Sequence, residues 1–542
     1  MRYLLVAVFT VLAIHAGALA QTNPPKLVAQ ELRSIVERGE TVSATADRED
    51  RFLPVYLFYE DRNYTPIWVR DSGPKAKARD FLSAIRSAAE DGLSPDNYQL
   101  AAIEQRMGAT EPRVLAELEL FLTRALLDYG RDRVSGQVRP EKVSRNVHYD
   151  PIEPSDIALL DAVERADDVP PVLAALGPAS PNYQRLKTKL AELRQLAAKG
   201  GWGRVGEGAT LKPGMSDPRV GELRDVLHVM GDLSKDDGVA GETYDETLVA
   251  AVKRFQERHG LEPDGVVGPG TLAELNVPVQ SRIHTIELNM ERRRWLQDDL
   301  KGYYIFVNLA DQVLKVVDNE KTIHTARVVV GKPYHSTPAF TRNMTYLVLN
   351  PTWSVPPSIA VNEYLPKLRQ DASYLARQNI RIIDPNVGEI NPHSVDWSSV
   401  GGRFPFRLRQ DSGDGNALGR VKFMFPNDFN VYIHDTPSKG LFARTSRAFS
   451  HGCVRVQHPL DLAEVLLRDQ EMEWDRRKID AAVAKGREQV VKFRTPVPVF
   501  IAYFTAFANK DGTLHFRPDI YGRDKQLDEA LTAAGQIRVQ GI

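Results

Sequence analysis

From residue 21 to about 205, apolar positions recur at three- and four-residue spacing. Pro24 to Glu40, Ala76 to Glu90, Val114 to Tyr129 and Tyr183 to Lys199 are therefore predicted as helices. Gly200-Gly201-Trp202-Gly203, followed by Gly206, Gly208 and Pro213, breaks that pattern and marks a boundary. In the next stretch, Asp245 to Arg258 puts Leu248, Ala251, Val252 and Phe255 on one stripe. Acidic residues in its first turn and basic residues in its last suit the helix dipole, and Gly260 stops it. The glycines of Asp264-Gly265-Val266-Val267-Gly268 allow tight turns, and Thr271 leads a last short helix to Leu275 and Asn276. A further amphipathic helix over 282–300, carrying Ile283, Ile286, Leu288, Met290 and Trp295, is expected to pack on the first helical region.

At Tyr303 the period shortens to two. Tyr304 to Asn308, Val313 to Val317, Arg327 to Val330 and Tyr346 to Leu349 are β-branched or aromatic runs separated by turn residues. Residues 357–419 interrupt them with helical and loop signals, before strand character returns at Val421 to Phe425 and Asn430 to His434. This stretch reads as an insertion, placed as a lid over a site. The pattern predicts a multidomain α+β protein: a mostly antiparallel β domain with an inserted lid, a helical scaffold, and a small three-helix domain. The divisions are 1–20, 21–205, 206–278, a connecting helix 279–302, the β domain 303–500, and a C-terminal tail 501–542.

Composition narrows the function. At 542 residues, with 42% hydrophobic and 26% charged, the chain can bury several cores. Seventy Lys and Arg against 71 Asp and Glu leave a formal charge of −1, so no global field favours nucleic acid, and no such partner is expected. Met1-Arg2, the apolar run Leu4 to Ile14 and Ala18-Leu19-Ala20 form a secretory signal cleaved before Gln21. That run is well short of the ~20 residues that span a bilayer. The mature protein is therefore expected in an extracytoplasmic space. Cys453 is the one cysteine, which excludes an intramolecular disulfide, a Cys-rich zinc site and an iron–sulfur cluster. In an oxidising compartment a lone thiol is either buried or used.

The chemistry concentrates in Val431-Tyr432-Ile433-His434-Asp435-Thr436-Pro437 and Ser450-His451-Gly452-Cys453-Val454-Arg455-Val456. Strand alternation sends Asn430, Tyr432 and His434 to one face, with His434 emerging at the polar strand end. Ser450-His451-Gly452 delivers the thiol on a short turn, and Arg455 shares the face of Cys453 if the turn runs into a strand. A thiol with a pKa of about 8.5 needs a base or a positive field to become a nucleophile, and His434 and His451 are both candidates for the base. Backbone N–H groups around Gly452 and Cys453 are candidates for an oxyanion hole. Together these imply acyl transfer. Zinc held by His434, His451 and Cys453 is an alternative, disfavoured because Gly452 constrains adjacent ligands and no H-E-x-x-H occurs. Ser72-Gly73-Pro74-Lys75 formally matches S-x-x-K, but its Gly and Pro oppose the helix that chemistry requires, and it reads as a loop.

Two resemblances follow. Ala251-Val252-Lys253-Arg254-Phe255-Gln256, Gly260-Leu261, Asp264-Gly265-Val266-Val267-Gly268 and Thr271-Leu272 resemble a small three-helix peptidoglycan-binding domain. His434 followed by Ser450-His451-Gly452-Cys453 resembles the active-site motif of the L,D-transpeptidases. Gly331-Lys332, Thr337-Pro338, Asn350-Pro351-Thr352-Trp353 and Val355-Pro356-Pro357 appear in that family's order. The N-terminal region, Pro496 to Phe500, Asp519-Ile520-Tyr521-Gly522 and Arg455 in place of the commoner Asn are similar to its large periplasmic branch in Gram-negative bacteria. The resemblance implies Cys453 as nucleophile and His434 as base and acid. His451, Gly452, Ser450, Arg455 and Tyr432 would line the site. It further implies peptidoglycan stem peptides and glycan as substrate, 3-3 cross-links as product, carbapenems as acylating inhibitors, cell-wall synthesis enzymes as partners, and no cofactor or metal. Water as acceptor, giving a carboxypeptidase or cross-link hydrolase, and a non-enzymatic cell-wall scaffold are the alternatives.

Overall fold

The computed structural model describes residues 27–38, 49–234, 241–296, 300–402, 404–470 and 473–540; the signal segment 1–20 lies outside them. No helix among the described residues is long and apolar enough to cross a membrane.

The helical region is organised by Pro112–Ser135, whose buried face carries Leu115, Leu118, Leu122, Leu126 and Tyr129 against Leu27–Glu37 and Ala76–Arg86. The same helix buries Glu119. Its carboxylate accepts N–H bonds from Ile67, Trp68 and Val69 and a hydroxyl from Tyr59, so a buried carboxylate satisfies the backbone that leads into the short strand Val69–Arg70. Burial nonetheless raises its pKa above the ordinary carboxylate value.

Helices Arg219–Val229, Glu246–Arg258 and Pro269–Leu275 enclose a separate core running from Trp202 to Val279. The sequence motif here is a device of folding. Buried Gln256 accepts the Gly265 N–H at 2.8 Å and donates to Asp264 and the Val266 carbonyl, stitching the long helix to the Asp-Gly turn. Asp245 caps that helix by accepting from the Leu248 N–H.

The β domain is a ten-stranded sheet that closes on itself, because Val421–Met424 pairs both with Ile433–His434 and with Ala339–Leu349. Closure leaves few free edges. Most pairs are antiparallel, but Ile433–His434 with Val454–Val456, Gln489–Ala502 with Tyr303–Asn308, Ala448–Ser450 with Lys321–Gly331, and Val147–His148 with Ala339–Leu349 run parallel. Helices Pro459–Asp469 and Arg476–Ala484 add Leu462, Leu466, Leu467 and Ile479 to its core.

Four expectations change. The insertion 357–419 has a core of its own, including Leu368, Leu375, Ile382 and Trp397. Its strands Ile380–Asp384, Gly388–Ile390 and Arg407–Gln410 join Trp353–Ser354 in a second sheet, where only helix and loop were expected. The helical region is not purely helical, since Val147–His148 adds to the large sheet beside Ala339–Phe340. Residues 501–540 are no trailing tail: they complete a sheet strand, form the hairpin Ala506–Ala508 with Leu514–Phe516, and end in helix Arg523–Gln540. Finally, the connecting helix, Val279–Trp295, is buried on nearly every side and not amphipathic.

That helix is the joint of the molecule. The side chains of Glu291 and Arg294 are both fully buried, 2.9 Å apart. Arg294 also donates to the Tyr183 hydroxyl and the Asp91 carbonyl, and Glu291 accepts from the N–H groups of Gln137 and Val138. One turn away, Asn289 bonds Thr505 and Arg292 pairs with Asp524. Breaking a buried pair by removing one partner typically costs about 3–5 kcal/mol, because the other charge stays buried. Arg294→Met is therefore expected to lower stability by that order, read as a lower denaturant midpoint in urea unfolding.

Candidate active site

The site is assembled by strand register. Ile433 lies opposite Val454 and His434 opposite Arg455 in the parallel pair, and the Val454 N–H donates to the Tyr432 carbonyl at 3.1 Å. Val431, Ile433, Val454 and Val456 point into the core. Alternation then places Tyr432, His434, Cys453 and Arg455 together on the other face. The strand is shorter than expected: Asn430 has φ +54°, outside the extended region, and contributes its carbonyl, 3.7 Å from the Cys453 Sγ. Nor does His434 emerge on a polar surface, being only 5% exposed.

The turn before the nucleophile is tied from inside. The buried Ser450 hydroxyl donates to the Cys453 carbonyl at 2.6 Å and accepts the Gly452 N–H at 3.1 Å. Ser450 is thus a brace for the turn. The Gly452 N–H is spent on it, while the Cys453 N–H makes no hydrogen bond among the described residues and is the donor left for an oxyanion. Gly452 has φ +118°, a conformation glycine adopts at least cost. Its carbonyl accepts from buried Thr337, whose hydroxyl also takes the Gly331 N–H. Behind Thr337 stands the C-terminal segment: the Tyr521 hydroxyl donates to the Gly331 carbonyl at 2.7 Å, and Arg523 donates to the Thr337 carbonyl at 2.8 Å.

His434 and His451 differ in their partners. His434 Nδ1 lies 2.5 Å from the Asp435 carbonyl, which can only accept, so Nδ1 carries the proton and Nε2 is the basic nitrogen. Burial, with the cations of Arg455 and Lys422 adding to it, holds the His434 imidazole down to about 3. The Asp435 carboxylate accepts the N–H groups of Arg420 and Thr436 and pairs with Lys439, fixing the end of the insertion to the loop that orients the base. A side chain at Gly419, φ +60°, would collide with that carboxylate. His451 instead puts Nε2 2.6 Å from Glu363, a residue of the insertion, and its ring leans on His335. Claimed by the insertion, it is the weaker candidate for the base.

Cys453 is half-buried, and burial raises its thiol pKa, opposed by hydrogen bonding with Tyr432 and by the charges of Lys422 and Arg455. The half-buried Arg455 guanidinium forms no ion pair or hydrogen bond among the described residues, so it does not merely pair an acid. Among the described residues, no group of three or more His, Cys, Asp or Glu is placed to hold a metal ion. Asp435, Glu363 and Lys422 were missed from sequence. Only Lys422 left a signal, alternating with Val421 and Phe423 on a strand whose apolar face is the core.

A thiol, a neutral imidazole with a fixed tautomer, a free N–H and an unpaired cation thus share one face, an arrangement with the chemical groups that acyl transfer by a thiol needs. Family models match residues 302–499 as an L,D-transpeptidase catalytic domain, 216–275 as a "Putative peptidoglycan binding domain" and 54–190 as a "Scaffold domain". Residues 302–499 are thus similar to L,D-transpeptidase catalytic domains and residues 216–275 to peptidoglycan-binding domains. A "Putative L,D-transpeptidase" of Haemophilus influenzae is 36% identical over 245 residues, 45% of this chain and 49% of that relative, so the match spans about half the relative's length. Among solved structures, an L,D-transpeptidase of Xylanimonas cellulosilytica covers 55% of this chain and 98% of its own at 16% identity and TM-score 0.17. One from Stackebrandtia nassauensis covers 57% and 98% at 15% and TM-score 0.21.

The depressed value of His434 has a directional consequence. Because the folded pKa lies below the ordinary 6.5, the neutral ring persists as pH falls through that value and charges only in stronger acid. In a histidine-labelled NMR titration, the imidazoles still neutral at pH 5 are expected to include those of buried His259 and His515 as well as His434, and His434→Gln should remove one signal from that set.

Proposed function

We propose that this protein is a periplasmic peptidoglycan L,D-transpeptidase that forms 3-3 cross-links through a cysteine thioester. The observation that carries the reading is the shared face of Cys453 and His434, with the Nδ1 proton of His434 committed to the Asp435 carbonyl. Nε2 takes the Cys453 proton as sulfur attacks the carbonyl of the third stem residue, a diamino acid. The oxyanion forms against the Cys453 N–H, and the Nε2 proton passes to the departing D-Ala amine. A side-chain amine of a second stem then attacks the thioester, loses a proton to Nε2, and releases the thiol.

The surroundings suit a peptide donor. Arg455 offers an unpaired guanidinium to a substrate carboxylate. The insertion reaches the nucleophile's turn through Glu363 and His451, where it can exclude water in favour of an amine. The assignment to the large periplasmic branch, export through the 1–20 signal, acylation by carbapenems and association with cell-wall synthesis enzymes belong to the same proposal, on the residues that resemble that branch.

The test is mass spectrometry of a disaccharide-tetrapeptide incubated with the protein, beside Cys453→Ala. A dimer that has lost one D-Ala, absent with the variant, is the expected product. Tripeptide alone would replace cross-linking by carboxypeptidase action, and turnover by Cys453→Ala would overturn the thioester. His434→Ala is expected to slow acylation by about two to four orders of magnitude, read as the rate of covalent adduct formation.

A further inference from the structure

Lys422 lies directly opposite His434 across the antiparallel pair, so its side chain leaves the sheet on the face of the reactive residues. Its Nζ sits 3.9 Å from the centroid of the Tyr432 ring, and Tyr432 shares the sheet face of Cys453 through the parallel pair. Lys422 is half-buried and forms no ion pair among the described residues. Around it stand Tyr432, His434, Cys453 and Arg455 on the reactive face, and Glu488, an exposed carboxylate bonded to Thr352, on the far side. A half-buried ammonium without a carboxylate partner costs free energy, and burial accordingly lowers its pKa.

We propose that Lys422, seated on the Tyr432 ring, supplies the fixed positive charge that stabilises the Cys453 thiolate. The argument rests on Cys453 as nucleophile. In most cysteine nucleophiles the thiolate is balanced by an imidazolium, but the cations around His434 disfavour that form here. The imidazolium formed when His434 takes the thiol proton is therefore costly, and a second, permanent positive group on the same face lowers the cost of the charge building on sulfur. Lys422 keeps its protons throughout: the thiol proton goes to His434 Nε2, and the sulfur electron pair becomes the nucleophile. Packing of the lysine stem on the ring would serve the sheet equally well without charge, and the two roles separate experimentally.

The experiment is alkylation of the full chain, followed by loss of free thiol across pH, with neutral iodoacetamide and anionic iodoacetate. The wild-type ratio of iodoacetate to iodoacetamide rates should exceed that of a small-molecule thiol. In Lys422→Met, which keeps an unbranched stem over the ring, iodoacetamide alkylation at pH 8 should fall about tenfold as the thiol midpoint moves up by roughly one unit. The iodoacetate preference should fall further, and Lys422→Arg should restore both. Equal rates and ratios in wild type and Lys422→Met would overturn the proposal. So would a wild-type ratio no higher than the small thiol's, a result that needs no variant to fold. Failure of Cys453 to alkylate at any pH would instead remove the nucleophile reading itself.

Discussion

The structure turns on the register of one short parallel pair, Ile433–His434 beside Val454–Val456. Side chains alternate across a strand, so a slip of one residue would send Cys453 into the core and Val454 into the site. What forbids the slip is apolar. Val431, Ile433, Val454 and Val456 are all buried, and a slip of one residue by either strand would turn its pair out of the core. Parallel pairing needs a crossover, and residues 435–453 supply it. Cys453, the proposed nucleophile, sits at the end of that crossover and His434, the proposed base, at its start. Two residues distant in sequence are thereby fixed as neighbours by hydrophobic burial rather than by any bond between them.

That register would be idle if the turn carrying the thiol were loose, and its support comes from remote parts of the chain. Thr337 grips the Gly452 carbonyl, Tyr521 and Arg523 hold Thr337 and Gly331, and Arg523 stacks near Tyr503 and Tyr521. The segment bearing Tyr521 is anchored by Asp519, which accepts from Tyr503, Arg523 and Asp524. Asp524 and Thr505 in turn bond the connecting helix, whose Glu291 and Arg294 are locked into the helical region. The chain of contacts runs from the helical region to the Cys453 turn through buried and half-buried polar groups. Each link is costly to desolvate alone and is stable because its neighbours satisfy it.

This organisation explains what the sequence could and could not reveal. His434, Cys453 and Arg455 were legible because period-two alternation fixes faces, and the structure places them together as alternation requires. The three-helix module was legible because Gln256 and the Asp-Gly turn belong to one local stretch. The connecting helix was misread because its Arg and Glu residues look solvated by composition, and only partners from Asp91, Tyr183, Gln137 and Asp524 make their burial tolerable. The C-terminal residues were undervalued for the same reason, since a Tyr521 or Arg523 gives no local sign of bracing a turn far upstream. In the insertion, Ile380-Arg381-Ile382 does carry strand alternation, but it is too short to stand out among the helical signals around it.

The electrostatics of the site favour a resting state without charge on either reacting group. Burial lifts the thiol and lowers the imidazole, so transferring the proton between them is unfavourable until negative charge forms that the surroundings can stabilise. In the proposed reaction such charge would build on sulfur and then on the substrate oxyanion, next to Arg455 and the free Cys453 N–H. Reactivity is thereby coupled to occupancy. A neutral thiol is also slower to oxidise than a thiolate, which matters for a lone cysteine that has no resolving partner in the chain. The contact between Glu363 and His451 brings the insertion onto the same turn. In the proposed transpeptidation, exclusion of water there would both strengthen the stabilising charges and favour an amine over water as acceptor, so one arrangement of the insertion would serve activation and product choice together.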